Sequence, residues 1–400
     1  LILIILVYFF SSLFISLPYY FSNYQITFID SFFESFSGMT STGFSIFENI
    51  KYLDPTLILW RSSSQWIGGL YFLIFLIIVF SNNQYNFRLN HLVYTGNMGS
   101  FSKANIKNVL LQIFLVYSLL TLLIFIILNI GSVRLFNSLN LSMTIISNGG
   151  FLPTNNLGQI FLKDNYYLLA IILLIPTLNI FLIFNFFNRK KIIYNHQEDL
   201  FLIIFILALT LIMFYTFKNV GIIEILINII SSISNSGITF TKSINSTIVF
   251  IFLCAVGGSL ISNSSGIKFI RIYILIKTAC AEIIRLIRPN NVFNNIIFYS
   301  EKKIDNQIIN LSFLVFISFF ISIFILSSVL VLDNINFENS FKLSILTLTN
   351  TTNSSLYGLS DINFSNLLNS TKLFLIIFMI IGKIELISIF ILLKKFFIKD

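Results

Sequence analysis

Apolar runs of membrane length alternate with short polar strips along the whole chain. Eight stretches, near 1–22, 54–80, 106–130, 165–187, 199–217, 244–272, 306–332 and 370–395, read as spanning helices. A bilayer core about 30 Å thick needs about 20 apolar residues per helix, and the run 110–130 carries no charge at all. The segments between the runs are of two kinds. One kind is basic and irregular. The other begins with apolar residues at helical spacing and ends in a strip of hydroxyl, amide and glycine residues.

The second kind occurs four times. Phe28–Gly38 predicts a short helix with Asp30 near its start, followed by Thr40-Ser41-Thr42-Gly43. Phe136–Ile146 is followed by Ser147-Asn148-Gly149-Gly150, and Ile222–Ile233 by Ser234-Asn235-Ser236-Gly237. Phe337–Leu348 is followed by Thr349 and Asn350-Thr351-Thr352. The positions 43, 150, 237 and 352 are 107, 87 and 115 residues apart. Each unit reads helix, short re-entrant helix, polar strip, helix, and a fixed unit repeated along a chain defines the architecture before any single motif does. The expected fold is an all-α polytopic membrane protein with four pseudo-symmetric helix–pore-loop–helix units around one central pore. The units span 1–80, 106–187, 199–288 and 303–400, with cytoplasmic linkers at 81–105, 188–198 and 289–302.

Non-helical backbone at membrane depth is tolerated where it is buried or lines a water-filled cavity. An extended strip there can turn carbonyls toward a cation and replace its hydration shell. Glycine permits positive φ without a Cβ clash, and the C-terminal end of a short helix is partially negative, which suits a cation. The twelve residues of the first three strips, with Asn350, Thr351 and Thr352, are therefore candidate filter residues. Thr42, Gly43, Gly149, Gly150, Ser236, Gly237, Thr351 and Thr352 are the positions expected to face the ion. The plainer reading, Ser/Thr-rich turns that cap interfacial helices, accounts for one copy better than for four.

Composition agrees with this class. The chain has 400 residues, 56% hydrophobic and 10% charged, with a mean hydropathy of +0.90. Its net charge of +9 is unevenly placed. The loops on one side of the eight expected spans hold sixteen basic residues against six acids, the other side eight against nine, with Lys383 and Glu385 inside the last span. That is the positive-inside bias, and it places the 81–105 loop and the C-terminus in the cytoplasm. The basic excess thus reports topology. No aromatic-interleaved basic patch points to nucleic acid. Cys254, Cys280, His91 and His196 have no metal-ligand spacing and read as packed thiols and interfacial imidazoles. The sequence starts at Leu1 inside an apolar run, without a cleavable-signal pattern, so residues upstream are expected to be missing.

"FIDSFFESFSGMTSTGF", "LWRSSSQWIGG", "ISNGGF", "GGSLISNSSGIKFIR" and "IGKIELISIFILL" resemble, in order, segments of the Trk, Ktr and HKT superfamily of potassium transporters, most nearly the TrkH type. The resemblance covers the whole chain. It implies K⁺ as the transported ion, an inner-membrane location, a homodimer and a cytoplasmic nucleotide-binding regulatory subunit of TrkA type. The family's filter glycines match Gly43, Gly150 and Gly237, whereas Thr352 stands where the family has a fourth glycine. Thr is β-branched and disfavours positive φ. Either that strip has another backbone shape or its hydroxyl supplies an oxygen, and a sodium or weakly selective pathway becomes the alternative.

The family also has an intramembrane gating loop. It resembles Gly257–Gly266 here, with Gly257, Gly258, Ser259, Ser262, Asn263, Ser264, Ser265 and Gly266 as candidate gate residues. Small and polar residues weaken the sixth span at this point. A close helix–helix contact is the other reading. Lys383 lies mid-span, where an ionisable group costs about 2.5–3.5 kcal/mol on the insertion scale and is a functional candidate by default. It stands where the family has a pore-facing Arg, and below a filter its charge would repel ions. Arg61 is expected to pair with Glu34 rather than handle ions. The segment 273–288 reads as a membrane-surface helix or a docking site for a regulator. A polytopic membrane enzyme is the remote alternative, disfavoured because the acids are scattered.

Overall fold

The computed structural model describes residues 2–81, 106–154, 157–161, 165–182, 196–217, 220–239, 246–287, 306–359 and 362–384. Most of the three linkers and the tail with Glu385 lie outside the described residues, as does His91. Among the described residues all regular structure is helical.

The four units repeat in three dimensions. Each opens with a long apolar helix: α1 (Ile2–Tyr20), α4 (Ile106–Ile130), α7 (Gln197–Thr216) and α11 (Asn306–Leu332). Each continues into a short helix: α2 (Phe28–Met39), α5 (Leu135–Ile146), α8 (Ile222–Ser234) and α12 (Phe337–Leu348). The units then end on α3 (Pro55–Ser81), on α6 (Tyr166–Leu174), on α9 (Thr247–Val256) with α10 (Phe269–Ile287), and on α13 (Asn369–Lys383). Among the described residues three helices are long and apolar enough to cross a membrane, at Asn108–Ile130, Gln197–Thr216 and Asn306–Leu332. Their outward faces are apolar, as at Leu115, Leu119 and Leu122 on α4. The interior holds hydroxyls instead, such as Ser31, Ser35 and Ser37 on α2. An apolar surface around a partly polar core is what a lipid solvent demands.

Packing closes the four units into a ring. Within each unit the first helix packs on the short helix. Between units α3 packs on α5, α6 on α8, α9 on α12, and α13 returns to α2. The last seam carries an ion pair, with Lys372 Nζ donating to Asp30 Oδ1 at 2.6 Å. α2 starts where the Thr27 hydroxyl accepts from Asp30 N, a side-chain N-cap.

All four short helices end alike. The amide of Thr42 reaches back to Ser37 O, Gly149 to Thr144 O, Ser236 to Ser231 O, and Thr351 to Leu346 O, at 2.8–3.1 Å. The residue before each is left-handed: Ser41 at φ 57°, Asn148 at 54°, Asn235 at 67° and Asn350 at 50°. This is the helix-ending turn that satisfies the last carbonyls. Asn tolerates that conformation better than most residues, which explains three of the four side chains.

Two expected spans are interrupted rather than one. The run 165–187 was expected to be a continuous helix. It stops at Leu174, passes through a short tight turn at Ile175–Thr177 and becomes extended at Leu178. Pro176 supplies the reason, since it has no N–H to donate and clashes with the preceding turn. The carbonyl of Thr177 then accepts from Ser259 N, and Ile180 N donates to Ile261 O. The break in unit 2 and the break in unit 3 thus satisfy each other's backbone.

Candidate functional site

The four strips meet at one point. A Cβ built on Gly43 would lie 2.9 Å from Gly150 Cα and 2.6 Å from Thr352 Cγ2. One built on Gly150 would lie 1.6 Å from Thr352 Cγ2, and one on Gly237 2.7 Å from Thr352 Oγ1. Thr352 therefore projects its side chain into the space where the other three strips have no side chain. Its hydroxyl is 3.4 Å from Ser236 O.

Gly43 and Gly237 have φ of +81° and +65°, as the glycine argument expects. Gly150 and Thr352 lie outside the left-handed region. Gly150 is required by its contact with Thr352, where a Cβ would fall 1.6 Å from Thr352 Cγ2, and not by its own backbone. Thr352 thus keeps a backbone outside the left-handed region and turns its side chain toward the other three strips.

The asparagine amides anchor the strips. Asn148 Nδ2 donates to Pro176 O, Asn235 Nδ2 to Cys254 O, and Asn350 Nδ2 to Met379 O, at 2.9–3.3 Å. Asn235 and Asn350 tie their strips to the closing helices of their own units, and Asn148 ties its strip to the turn that follows α6. Two of them also bridge neighbouring strips. Asn350 Nδ2 lies 2.9 Å from Thr42 Oγ1, and Asn235 Nδ2 lies 3.2 Å from Thr351 Oγ1. On the first seam Gln65 of α3 accepts from Phe151 N at 3.2 Å. Ser41 Oγ, Asn148 Oδ1 and Asn350 Oδ1 are buried oxygens with no protein hydrogen-bond partner, a polar supply that a cation could use.

The first strip is braced from behind. Arg61 Nε donates to Glu34 Oε1 at 2.8 Å, both side chains being 1% exposed or less, so the expected pairing is present. Glu34 also accepts from Ile46 N at 2.8 Å and Ser45 Oγ at 3.1 Å. The guanidinium lies 4.1 Å from the Phe151 ring centroid, a cation–π contact that reaches the second strip.

The interrupted segment 257–266 is buried and packs against the strips of units 2 and 3. Asn263 Nδ2 donates to Ile146 O at 2.6 Å, and Ser265 N to Asn235 Oδ1 at 3.1 Å. Glu198 Oε1 accepts from Leu260 N at 2.9 Å. Gly257 and Gly266 have φ of +70° and +84°, so a break is built in at both ends. The alternative of a close helix–helix contact is displaced by this loop geometry. Lys383 is buried, with Nζ 3.5 Å from Asn263 O and 4.6 Å from the Phe72 ring centroid.

Several groups at the site carry no local sequence signal. Lys268 counted as one more inner-side basic residue, yet it is 1% exposed and donates into the interrupted segment. Gly68 and Gly382 let the closing helices reach the short helices. A Cβ on Gly68 would fall 2.0 Å from Met39 O, and one on Gly382 2.2 Å from Leu348 O. Cys280 is exposed and His196 is buried beside Asp199, the reverse of the packed-thiol and interfacial readings.

These features define a polytopic, all-helical membrane protein in which four re-entrant units share one centre. Within that class the chain is similar to Trk system potassium uptake proteins. It is 25% identical over 407 residues to TrkH of Salmonella typhimurium and of Escherichia coli, covering 96% of this chain and 83% of each relative. It is 23% identical to TrkI of Halomonas elongata, covering 96% of this chain and 81% of that protein. An uncharacterised cation transporter of Methanocaldococcus jannaschii matches 78% of this chain at 25% identity, and the match spans 65% of that relative's length. No protein-family model matches the chain. The crystal structure of the potassium transporter TrkH from Vibrio parahaemolyticus has the same fold, with a TM-score of 0.85 at 21% identity, covering 99% of this chain and 85% of that one.

Proposed function

We propose that the chain is the ion-conducting membrane subunit of a Trk-type potassium uptake system, with no covalent chemistry required. The observation that carries this is the convergence of Gly43, Gly150, Gly237 and Thr352 on one point. In this reading the four strips form a filter whose backbone oxygens replace the hydration shell of K⁺. The Thr40–Gly43, Ser147–Gly150, Ser234–Gly237 and Asn350–Thr352 strips are its quarters, and the units 1–80, 106–187, 199–288 and 303–400 are its domains. The Gly257–Gly266 segment is the gate below it, with the Lys383 charge raising the barrier to passage until that segment moves. Relatives named for potassium uptake, and the shared fold, support the assignment. The same similarity motivates a homodimer, a cytoplasmic nucleotide-binding regulator, an inner-membrane location and a cytoplasmic C-terminus.

One observation favours a second reading. The Thr352 side chain narrows the junction and offers a hydroxyl there, which suits a smaller ion, so Na⁺ or weakly selective monovalent transport is the alternative. Rb⁺ and Na⁺ fluxes into proteoliposomes separate the two, with Thr352→Gly as comparison. Potassium transport predicts Rb⁺ flux above Na⁺ flux in the unaltered protein. Equal fluxes there, with a Rb⁺ preference appearing in Thr352→Gly, would overturn it in favour of the second reading.

A further inference from the structure

We propose that Lys268 is the latch of the 257–266 segment: its ammonium fills an oxygen cage formed by that segment and holds it in place as an internal cation. The inference rests on the gating reading above and adds the positioning residue that sets the segment's resting shape.

The cage has five oxygens. Lys268 Nζ is 2.5 Å from Ser264 O, 3.2 Å from Ser262 O and 3.4 Å from Ser259 O. The hydroxyls of Ser262 and Ser264 stand at 3.4 and 3.5 Å, and they lie 2.7 Å from each other. Three carbonyls and two hydroxyls around one monovalent positive charge reproduce the chemistry by which a filter holds an ion. The ammonium has three protons to share among them. These carbonyls are the groups that the break in the span frees from helical bonding, and buried backbone oxygens of this kind require a donor.

The backbone at Lys268 supports the same conclusion. Its φ is +78°, in the left-handed region that a long L side chain rarely occupies. Such conformations persist where the surroundings hold them. Here the unusual turn sends the side chain back over the segment that precedes it instead of outward along α10. Lys268 also stands at the junction of moving and fixed parts. The next amide, Phe269 N, donates to Gly258 O, and Ile267 N to Ala255 O. A displacement of 259–264 must therefore break the cage while both ends of the segment stay tied. Lys383 contributes differently, with one long contact to Asn263 O. Both ammoniums lie near the Phe72 ring, at 5.7 and 4.6 Å from its centroid. Of these two ammoniums Lys268 is the one that binds the segment, together with the Glu198 carboxylate that accepts from Leu260 N.

The test is Rb⁺ uptake into proteoliposomes by the full chain carrying Lys268→Met, Lys268→Gln or Lys268→Ala. Expected is a basal flux raised about tenfold, the population shift that loss of one charge-assisted hydrogen bond permits. The Rb⁺/Na⁺ ratio should not change, because the strips are untouched. Added ethylammonium should lower the flux of Lys268→Ala back toward the unaltered level and leave the unaltered protein unaffected. A merely structural lysine would not give that rescue. Lys268→Gln, which keeps an amide donor and similar length, serves if the other two do not purify as a single species. A deletion of 260–264 separates the two levels of the argument. If the deletion raises flux while the Lys268 variants do not, the segment gates and the latch proposal falls. If neither raises flux, the gating reading falls with it.

Discussion

Removing either member of the buried Glu34–Arg61 pair should be the costliest single truncation in the first unit. Glu34 accepts from Arg61 Nε, Ile46 N and Ser45 Oγ. In Glu34→Ala the Arg61 charge stays buried with Ser45 Oγ at 2.8 Å and two aromatic rings as its remaining partners. Stranding one member of a buried pair costs about 3–5 kcal/mol, and an orphaned buried amide such as Ile46 N about 1–3 kcal/mol. The two penalties share a cause, so the expected loss is about 5 kcal/mol. Arg61→Met should lose a similar amount from the other side. The double variant Glu34→Met/Arg61→Met leaves no unpaired charge and should regain most of the loss, because an apolar pair is often neutral in place of a buried ion pair. Thermal unfolding of the four proteins in detergent measures this, with Rb⁺ uptake read alongside. Uptake should fall with Glu34→Ala, since Ser45 and Ile46 lie two and three residues beyond the end of the first strip. The reasoning fails if either single variant loses less than about 1 kcal/mol, or if the double variant loses the sum of the singles.

Gly68→Ala and Gly382→Ala should each cost about 1–3 kcal/mol, because the added carbon meets the carbonyl of Met39 or Leu348 rather than a movable side chain; unfolding temperature and uptake should drop together. Asn350→Ala removes bonds to Met379 O and Thr42 Oγ1 and should lower Rb⁺/Na⁺ discrimination more than total flux, as competitive flux assays would record. Pro176→Leu permits the helix of unit 2 to continue, withdraws Thr177 O from Ser259 N, and should raise basal Rb⁺ flux; an unchanged flux would mean the two breaks are independent.

The repeat was legible because its signal is local and recurs: a helix-period run, then a polar strip, at positions 43, 150, 237 and 352. The short helices fell within one residue of their sequence bounds at both ends, since helix-ending turns are written in nearby residues. The Arg61–Glu34 pair was also readable, as few buried acids were available to that arginine. The break at Pro176 was hidden by its surroundings, because an apolar run around a single proline still reads as a span. Lys268 was hidden by its position at the start of a basic stretch, where a solvated lysine is the ordinary case. What turned it inward is a left-handed backbone, which no residue type announces when the residue is not glycine. Gly68 and Gly382 look like unremarkable helix glycines until the partner backbone is located. The tethering bonds of the three asparagines were not readable, because their carbonyl partners lie 19–29 residues further along the chain.

The two side-chain bridges between strips, Asn350 to Thr42 and Asn235 to Thr351, have an evolutionary corollary. Were the ring assembled from four identical subunits, any substitution would appear at every seam at once, and a bulky group in place of glycine would be felt fourfold. With the quarters fused into one polypeptide, each joint is encoded separately. A threonine can enter at a single corner while its three counterparts stay glycine, so on the proposed filter reading ion preference would vary in steps a symmetric assembly cannot take.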